Sequence, residues 1–160
     1  MNKLVLLSFS FILLSVVGAA AQGSDPARKN PDYDEALAKK LGGNDNGMKT
    51  YVLAILKTGP NDSSVKGDGR KKAFEGHMAN MGRLADEGKL AVAGPFGKND
   101  KTFRGLFIFN VATIEDAQKL AETDPAVKAG IFVLDYIPWF GSASLMATSD
   151  IHKKISKSKE

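Results

Sequence analysis

The stretch EGHMANMGRLADEGKLAVAGPF, residues 75–96, changes from a helical pattern to a strand pattern at one glycine, Gly88. Apolar residues recur every three or four positions before this glycine, and a short run of aliphatic residues follows it. The pattern predicts a helix over residues 72–87 that ends at Gly88, and a strand over residues 89–96. A helix followed directly by a strand is therefore the starting unit of the fold.

The segments on either side extend this unit into a longer series. The sequence TYVLAILKTG precedes it, RGLFIFNV and GIFVLDYIPWF follow it, and all three have the composition of strands. Between the last two strands, TIEDAQKLAET has a helical pattern with Thr113 as its N-cap. The order strand, helix, strand, strand, helix, strand predicts an α+β domain of ferredoxin-like βαββαβ type, with a four-stranded antiparallel sheet and both helices on one face.

The second face of this sheet needs a cover. The first, third and fourth predicted strands are apolar on both sides, whereas both helices lie on the same face. Because a single sheet rarely leaves an apolar face open to water, we expect a second copy of the chain to cover it. The sequence therefore predicts a homodimer that closes sheet to sheet.

The N-terminal part of the chain has the pattern of an export signal. Lys3 precedes an apolar run over residues 4–17, and small residues follow up to Ala21. The run is short for a membrane span, so we expect cleavage after Ala21, export to the periplasm or the exterior, and no stable membrane span afterwards. The next segment, residues 22–48, is polar with one short helix that ends at Gly42.

The C-terminal segment, residues 141–160, is polar and basic, and we expect a flexible tail with His152 as a solvated residue. The globular domain then occupies residues 49–140. Because the sequence contains no cysteine, disulfides, thiol catalysis and cysteine-bound zinc are excluded. The formal net charge of +4 is small and its charges are scattered, which argues against a nucleic-acid partner.

His77 is the one histidine that falls within the predicted domain. The core face of its helix is expected to centre on four residues, Phe74, Met78, Met81 and Ala85, with His77 and Leu84 on one shoulder. A histidine at that position is either a core residue that hydrogen-bonds a backbone carbonyl or a functional imidazole. The helix alone does not decide between the two.

Asp124 allows a similar pair of interpretations. Followed by Pro125, it is a good N-cap for a short helical turn. That turn leads into the fourth strand, which lies beside the first in this fold, so Asp124 and His77 are expected to meet at one rim of the domain. The carboxylate would then hold the imidazole in one tautomer. Residues 94–96, Gly94, Pro95 and Phe96, are expected to supply a turn and an aromatic wall for a substrate.

Other chemistries find little support in the sequence. The serines of the mature chain lie in the flanks or in the loop at Ser63 and Ser64, so a hydrolytic triad is not predicted. His77 has no second histidine at ligand spacing, and no metal site is predicted. The glycine-rich KGDGRKK lacks the Gly-Lys-Ser/Thr ending of a phosphate-binding loop.

Three segments, HMANMGRLADEGKLAVAGPF, DPAVKAGIF and IPWF, resemble the YciI-like (YCII-related) family, and the resemblance covers residues 49–140. It implies a ferredoxin-like fold of the dimeric α/β barrel group. It also implies that His77 and Asp124 form the active site, that Gly94 and Pro95 lie in the adjoining turn, and that no metal or organic cofactor is required. Many relatives have a basic residue one turn before the histidine, where this chain has Phe74.

Two hypotheses follow. The first is an exported enzyme of isomerase, lyase or hydrolase type, in which His77 exchanges a proton with a small organic substrate and Asp124 orients it. The second is a non-catalytic dimeric module that binds a small ligand in an apolar pocket. The histidine and aspartate favour the first hypothesis, and the apolar surroundings favour the second.

Overall fold

The computed structural model describes residues 30–157 of the chain. The predicted signal segment, residues 1–21, lies outside the described residues. Residues 30–33 form a turn, and the compact unit begins at Asp34. No helix within residues 30–157 is both long enough and apolar enough to cross a membrane.

The secondary structure follows the predicted order, includes the short helix expected to end at Gly42, and adds helices at the C-terminal end. Asp34 caps the first helix, and Gly42 ends it in the left-handed conformation with a φ of 72°. In chain order the elements are α1 (Glu35–Leu41), β1 (Met48–Thr58), α2 (Gly67–Asp86), β2 (Leu90–Pro95), β3 (Phe103–Phe109), α3 (Ile114–Ala121), α4 (Pro125–Lys128), β4 (Phe132–Ser142), a 3-10 helix (Ala143–Ala147) and α5 (Thr148–Ile155).

The four strands form one antiparallel sheet in the order β2, β3, β1, β4. The outer strand β4 pairs with β1 along its whole length, from Met48 opposite Ser142 to Thr58 opposite Phe132. Helix α2 connects β1 to the edge strand β2, and helices α3 and α4 connect β3 to the edge strand β4, so both crossovers pass over one face of the sheet. This arrangement confirms the predicted α+β, ferredoxin-like fold.

The main core lies between one face of the sheet and the helices. Buried side chains of β1 and β3 alternate along the strands, as a half-covered sheet requires, and they meet small and aliphatic residues of the helices. The principal members are Val52, Ala54, Leu56, Phe107 and Phe109 from the strands, and Leu84, Ala117, Ala121 and Ala126 from the helices.

Helix α2 is rotated relative to the predicted face. Its buried residues are Ala73, His77, Asn80 and Leu84, whereas the side chain of Met78 is 55% exposed. Phe74 and Met81 are only partly buried against the core. The buried amide of Asn80 explains the rotation, because its oxygen accepts hydrogen bonds from Arg83 at 2.7 Å and Thr123 at 2.9 Å. A satisfied polar residue can lie on the core face, and a count of apolar residues misses it.

The C-terminal segment differs from the flexible tail that the sequence predicts. Leu145 and Met146 of the 3-10 helix pack on the second face of the sheet against Tyr51, Ala91 and Ile108. Beyond them, Lys153 of α5 forms an ion pair with Asp86 of α2 at 2.7 Å. Two apolar residues in a polar stretch are too weak a pattern to predict packing. Here they are partly buried because the second face of the sheet presents apolar side chains to them.

The rest of the second face carries large apolar side chains that the chain itself leaves partly exposed. Ile137 is 46% exposed, Val133 is 39% exposed and Trp139 is 36% exposed, and all three belong to β4. The C-terminal segment therefore covers only part of the face for which the sequence predicts a second copy. The homodimer remains our proposal for the remainder.

We expect truncation of Leu84, which is 1% exposed, to destabilise the domain strongly. The change Leu84→Ala should lower the free energy of unfolding by about 2–5 kcal/mol, because it leaves a cavity between α2 and the sheet. Met78→Ala on the same helix is the matched control and should change it by less than about 0.5 kcal/mol. Urea unfolding of both variants measures the difference, and equal losses would contradict the observed rotation of α2.

If a second copy covers the apolar face, light scattering of the wild-type chain should give the mass of a dimer. Ile137→Asp places a charge in that interface and should produce monomers. Ile155→Asp is the control, since Ile155 is 73% exposed on α5 and should leave the mass unchanged. A monomeric wild-type chain at micromolar concentration would overturn the proposal.

Candidate active site

His77 lies on the face of α2 that packs against the sheet, and its side chain is only 10% exposed. Three phenyl rings surround the imidazole. Phe107 stacks on it with ring centres 5.9 Å apart, Phe132 lies 5.3 Å away, and Phe74 meets it edge-on at 6.2 Å. Because these rings come from α2, β3 and β4, three elements of the fold together fix the orientation of the imidazole.

Asp124 is fully buried and uses its two oxygens for different tasks. Oδ2 lies 2.6 Å from Nδ1 of His77. Oδ1 caps α4 by accepting hydrogen bonds from the backbone N–H groups of Ala126 at 2.8 Å and Val127 at 3.4 Å. Both interpretations of this residue are therefore realised at once, and the structure brings His77 and Asp124 together as the sequence predicts.

A close approach between α2 and α4 makes this hydrogen bond possible. A Cβ atom on Gly76 would lie 2.6 Å from Cγ of Pro125, well inside van der Waals contact. Gly76 directly precedes His77 in the chain, and Pro125 directly follows Asp124. The close contact between Gly76 and Pro125 therefore lies next to the hydrogen bond between His77 and Asp124. The absence of a side chain at Gly76 thus lets the carboxylate reach the imidazole.

His77 also lines a cavity of about 560 Å³ between α2, the edge strand β2 and the C-terminal helix. The walls near the imidazole are largely apolar and include the rings of Phe74, Phe107 and Phe132. Since Asp124 occupies Nδ1, Nε2 is the ring nitrogen left to meet a ligand in this cavity. The volume is within the range of sites for small organic molecules.

The three residues predicted at the end of β2 are placed differently. Gly94 and Pro95 line the cavity, as expected for a wall next to His77. Phe96 lies beyond the strand, is 42% exposed and packs its ring against Phe103 at 6.1 Å. It is not among the lining residues, so the predicted aromatic wall is formed instead by rings from the core face.

Three further positions, Gly76, Arg104 and His152, shape the pair or the cavity and are not predicted from the sequence. His152, expected in a solvated tail, lines the cavity together with Thr148 and Ser149 of α5. Arg104 lines it from β3. A glycine inside a long helix was the available signal for Gly76, but the positions of Arg104 and His152 depend on how distant segments pack.

Among residues 30–157, no group of three or more histidine, aspartate or glutamate side chains is placed to hold a metal ion.

Comparison with known proteins supports the resemblance. The family model for the YCII-related domain matches residues 50–140. A solved structure of 5-chloro-2-hydroxyhydroquinone dehydrochlorinase from Burkholderia phenoliruptrix, in complex with 2,5-dihydroxybenzoquinone, is 26% identical, with a TM-score of 0.41. The similarity covers 56% of this chain and 92% of that one. A search of curated proteins gave no match.

The contact at Gly76 predicts opposite effects for two glycine substitutions on the same helix. Gly76→Ala should destabilise the domain, because the new methyl group pushes Pro125 and the His77–Asp124 bond apart. Gly82→Ala, where a Cβ meets nothing within 4 Å, should raise the free energy of unfolding by about 0.5–1 kcal/mol through helix propensity. Chemical unfolding measures both, and a stabilised Gly76→Ala variant would contradict the close approach.

Proposed function

The chain belongs to the YCII-related domain family, and from that membership and the buried His77–Asp124 pair we propose that it is an enzyme for general acid–base chemistry on a small organic substrate. The observation that carries the proposal is the 2.6 Å contact between Nδ1 of His77 and Oδ2 of Asp124, on an imidazole that lines a cavity. A carboxylate that orients a histidine beside a cavity is a recurrent arrangement for proton transfer.

The roles of the two residues follow from their hydrogen bonds. The carboxylate of Asp124 accepts a hydrogen bond from Nδ1–H, so the lone pair of the neutral imidazole is on Nε2. Nε2 then takes a proton from the substrate, and the buried carboxylate stabilises the resulting imidazolium. The same proton returns to another atom of the substrate, or to a leaving group, and His77 regains its starting state. Proton shifts and eliminations both fit this cycle.

The surroundings of the pair suit this role. Phe74, Phe107 and Phe132 shield the imidazole from bulk water and leave it little freedom to turn. The second oxygen of Asp124 is held by the N-terminus of α4, so the carboxylate does not need to move during the cycle. Because the carboxylate is fixed and the site is shielded from water, its negative charge stabilises the imidazolium more strongly than it would in bulk water.

A non-catalytic ligand-binding module is the second candidate. The largely apolar wall of the cavity favours it, since apolar pockets with few polar groups bind small molecules without chemistry. We retain export and a homodimer as parts of either proposal. Export rests on the signal pattern of residues 1–21, and the dimer rests on the exposed side chains of β4.

To test the proposal, the chain from Gln22 is screened against small metabolites by thermal shift, and each stabilising compound is then followed for conversion. Ligands that bind the native state raise the melting temperature by mass action. For a converted compound, Asp124→Asn and His77→Gln should each lower kcat by about 10²–10⁴-fold. Asp34→Asn is the control, because Asp34 caps α1 in the same way that Asp124 caps α4.

Asp124→Asn also has a spectroscopic readout that does not depend on turnover. The imidazole ¹⁵N signals of the wild type should show the proton on Nδ1, and the variant should lose that preference while keeping the cap of α4. Retention of kcat within a few-fold in both site variants would refute the acid–base role. Binding without conversion of any stabilising compound would favour the ligand-binding module.

A further inference from the structure

The cavity is lined, among the described residues, by side chains that are either uncharged or basic. Its lining residues within the described chain include no aspartate or glutamate, whereas three basic residues, His77, Arg104 and His152, take part. Of these three, the guanidinium of Arg104 carries a permanent charge. A cavity with a largely apolar wall and one permanent cation favours a ligand that combines an apolar body with a negative group.

A β-bulge in β3 turns the side chain of Arg104 toward this cavity. In the pairing of β1 with β3, Leu56 lies opposite Gly105 and Lys57 lies opposite Phe103, so Arg104 is the extra residue. Regular alternation would place its side chain on the second sheet face with Leu106. The bulge turns it to the helix face instead, where its guanidinium lies 5.9 Å from the ring centre of Phe132. Bulges commonly redirect side chains beside functional sites.

The charge of Arg104 is only partly neutralised by the protein. Its neighbour Asp62 pairs with Arg70 at 2.8 Å and lies 3.6 Å from Arg104. Arg70 additionally donates to the backbone oxygen of Asp62 at 2.7 Å, which ties that carboxylate to Arg70. One carboxylate between two guanidinium groups leaves a net positive charge at this end of the cavity.

The ring of Phe132 connects this charge to the proposed acid–base pair. The imidazole of His77 and the guanidinium of Arg104 each lie within 6 Å of the same ring centre. Both groups and this ring line the same cavity, so a ring-sized molecule that packs against Phe132 there lies close to both. The planar guanidinium matches the two oxygens of a carboxylate, to which it donates paired hydrogen bonds.

We propose that the cavity binds a small organic carboxylate with a ring-sized apolar body, whose carboxylate is held by Arg104 while the rest of the molecule lies against Phe132 beside Nε2 of His77. The part that concerns His77 rests on the proposed function. Recognition of the carboxylate by Arg104 does not, because binding needs no proton transfer.

The test compares benzoate with benzamide, which has a similar shape and no charge. Each is titrated into ¹⁵N-labelled chain from Gln22, and amide shifts around the cavity give the dissociation constant. Wild type should bind benzoate about tenfold more tightly than benzamide, in line with the strength of a charged hydrogen bond. Arg104→Gln should remove this preference, and Arg104→Lys should keep part of it because the charge is retained.

Lys57→Gln is the matched control. It removes one positive charge one strand away, where Lys57 pairs with Asp135 at 2.7 Å on the second face, and it should leave the preference for benzoate unchanged. Equal binding of the two probes by wild type, undetectable binding of benzoate at millimolar concentration, or a preference that survives Arg104→Gln would overturn the proposal. The same titrations with His77→Gln separate the two proposals, since loss of turnover with the benzoate preference intact leaves the role of Arg104 standing.

Discussion

The contact between Gly76 of α2 and Pro125 of α4 sets the geometry on which the site depends. Because a hydrogen atom stands where other residues carry a Cβ, the two elements approach closely and the next residues, His77 and Asp124, come within hydrogen-bonding distance. A fully buried carboxylate is unfavourable unless its oxygens are satisfied. Here one oxygen bonds the imidazole and the other caps α4, so the local helix start and the long-range pair support each other.

The site is built on rigid parts of the ferredoxin-like sheet rather than on loops. His77 comes from the middle of a long helix, and its surrounding rings come from that helix and two strands. Such placement limits the movement of the imidazole more than a loop would. The bulge in β3 adds an irregular feature at Arg104, the residue whose charge distinguishes this end of the cavity.

The C-terminal segment extends the domain beyond the 50–140 region that the family model matches. Its 3-10 helix covers part of the second sheet face through Leu145 and Met146, and α5 then reaches the rim of the cavity with Thr148, Ser149 and His152. The same segment thus adds buried apolar area and a polar cavity wall. Shape and polarity of the cavity in this chain therefore depend partly on residues outside the common domain.

The sequence by itself determined the order of the strands and long helices, the cap at Asp124 and the pairing of Asp124 with His77, because periodicity and capping are local properties and the βαββαβ order brings these two positions to one rim. Only the tertiary structure decided the rotation of α2, the direction of the Arg104 side chain, the position of Phe96 and the packing of residues 143–155. Each of these depends on which distant groups are available to satisfy a polar atom or cover an apolar one. Asn80 is buried because Arg83 and Thr123 donate hydrogen bonds to its amide oxygen, and Leu145 is partly buried because the sheet offers it an apolar face.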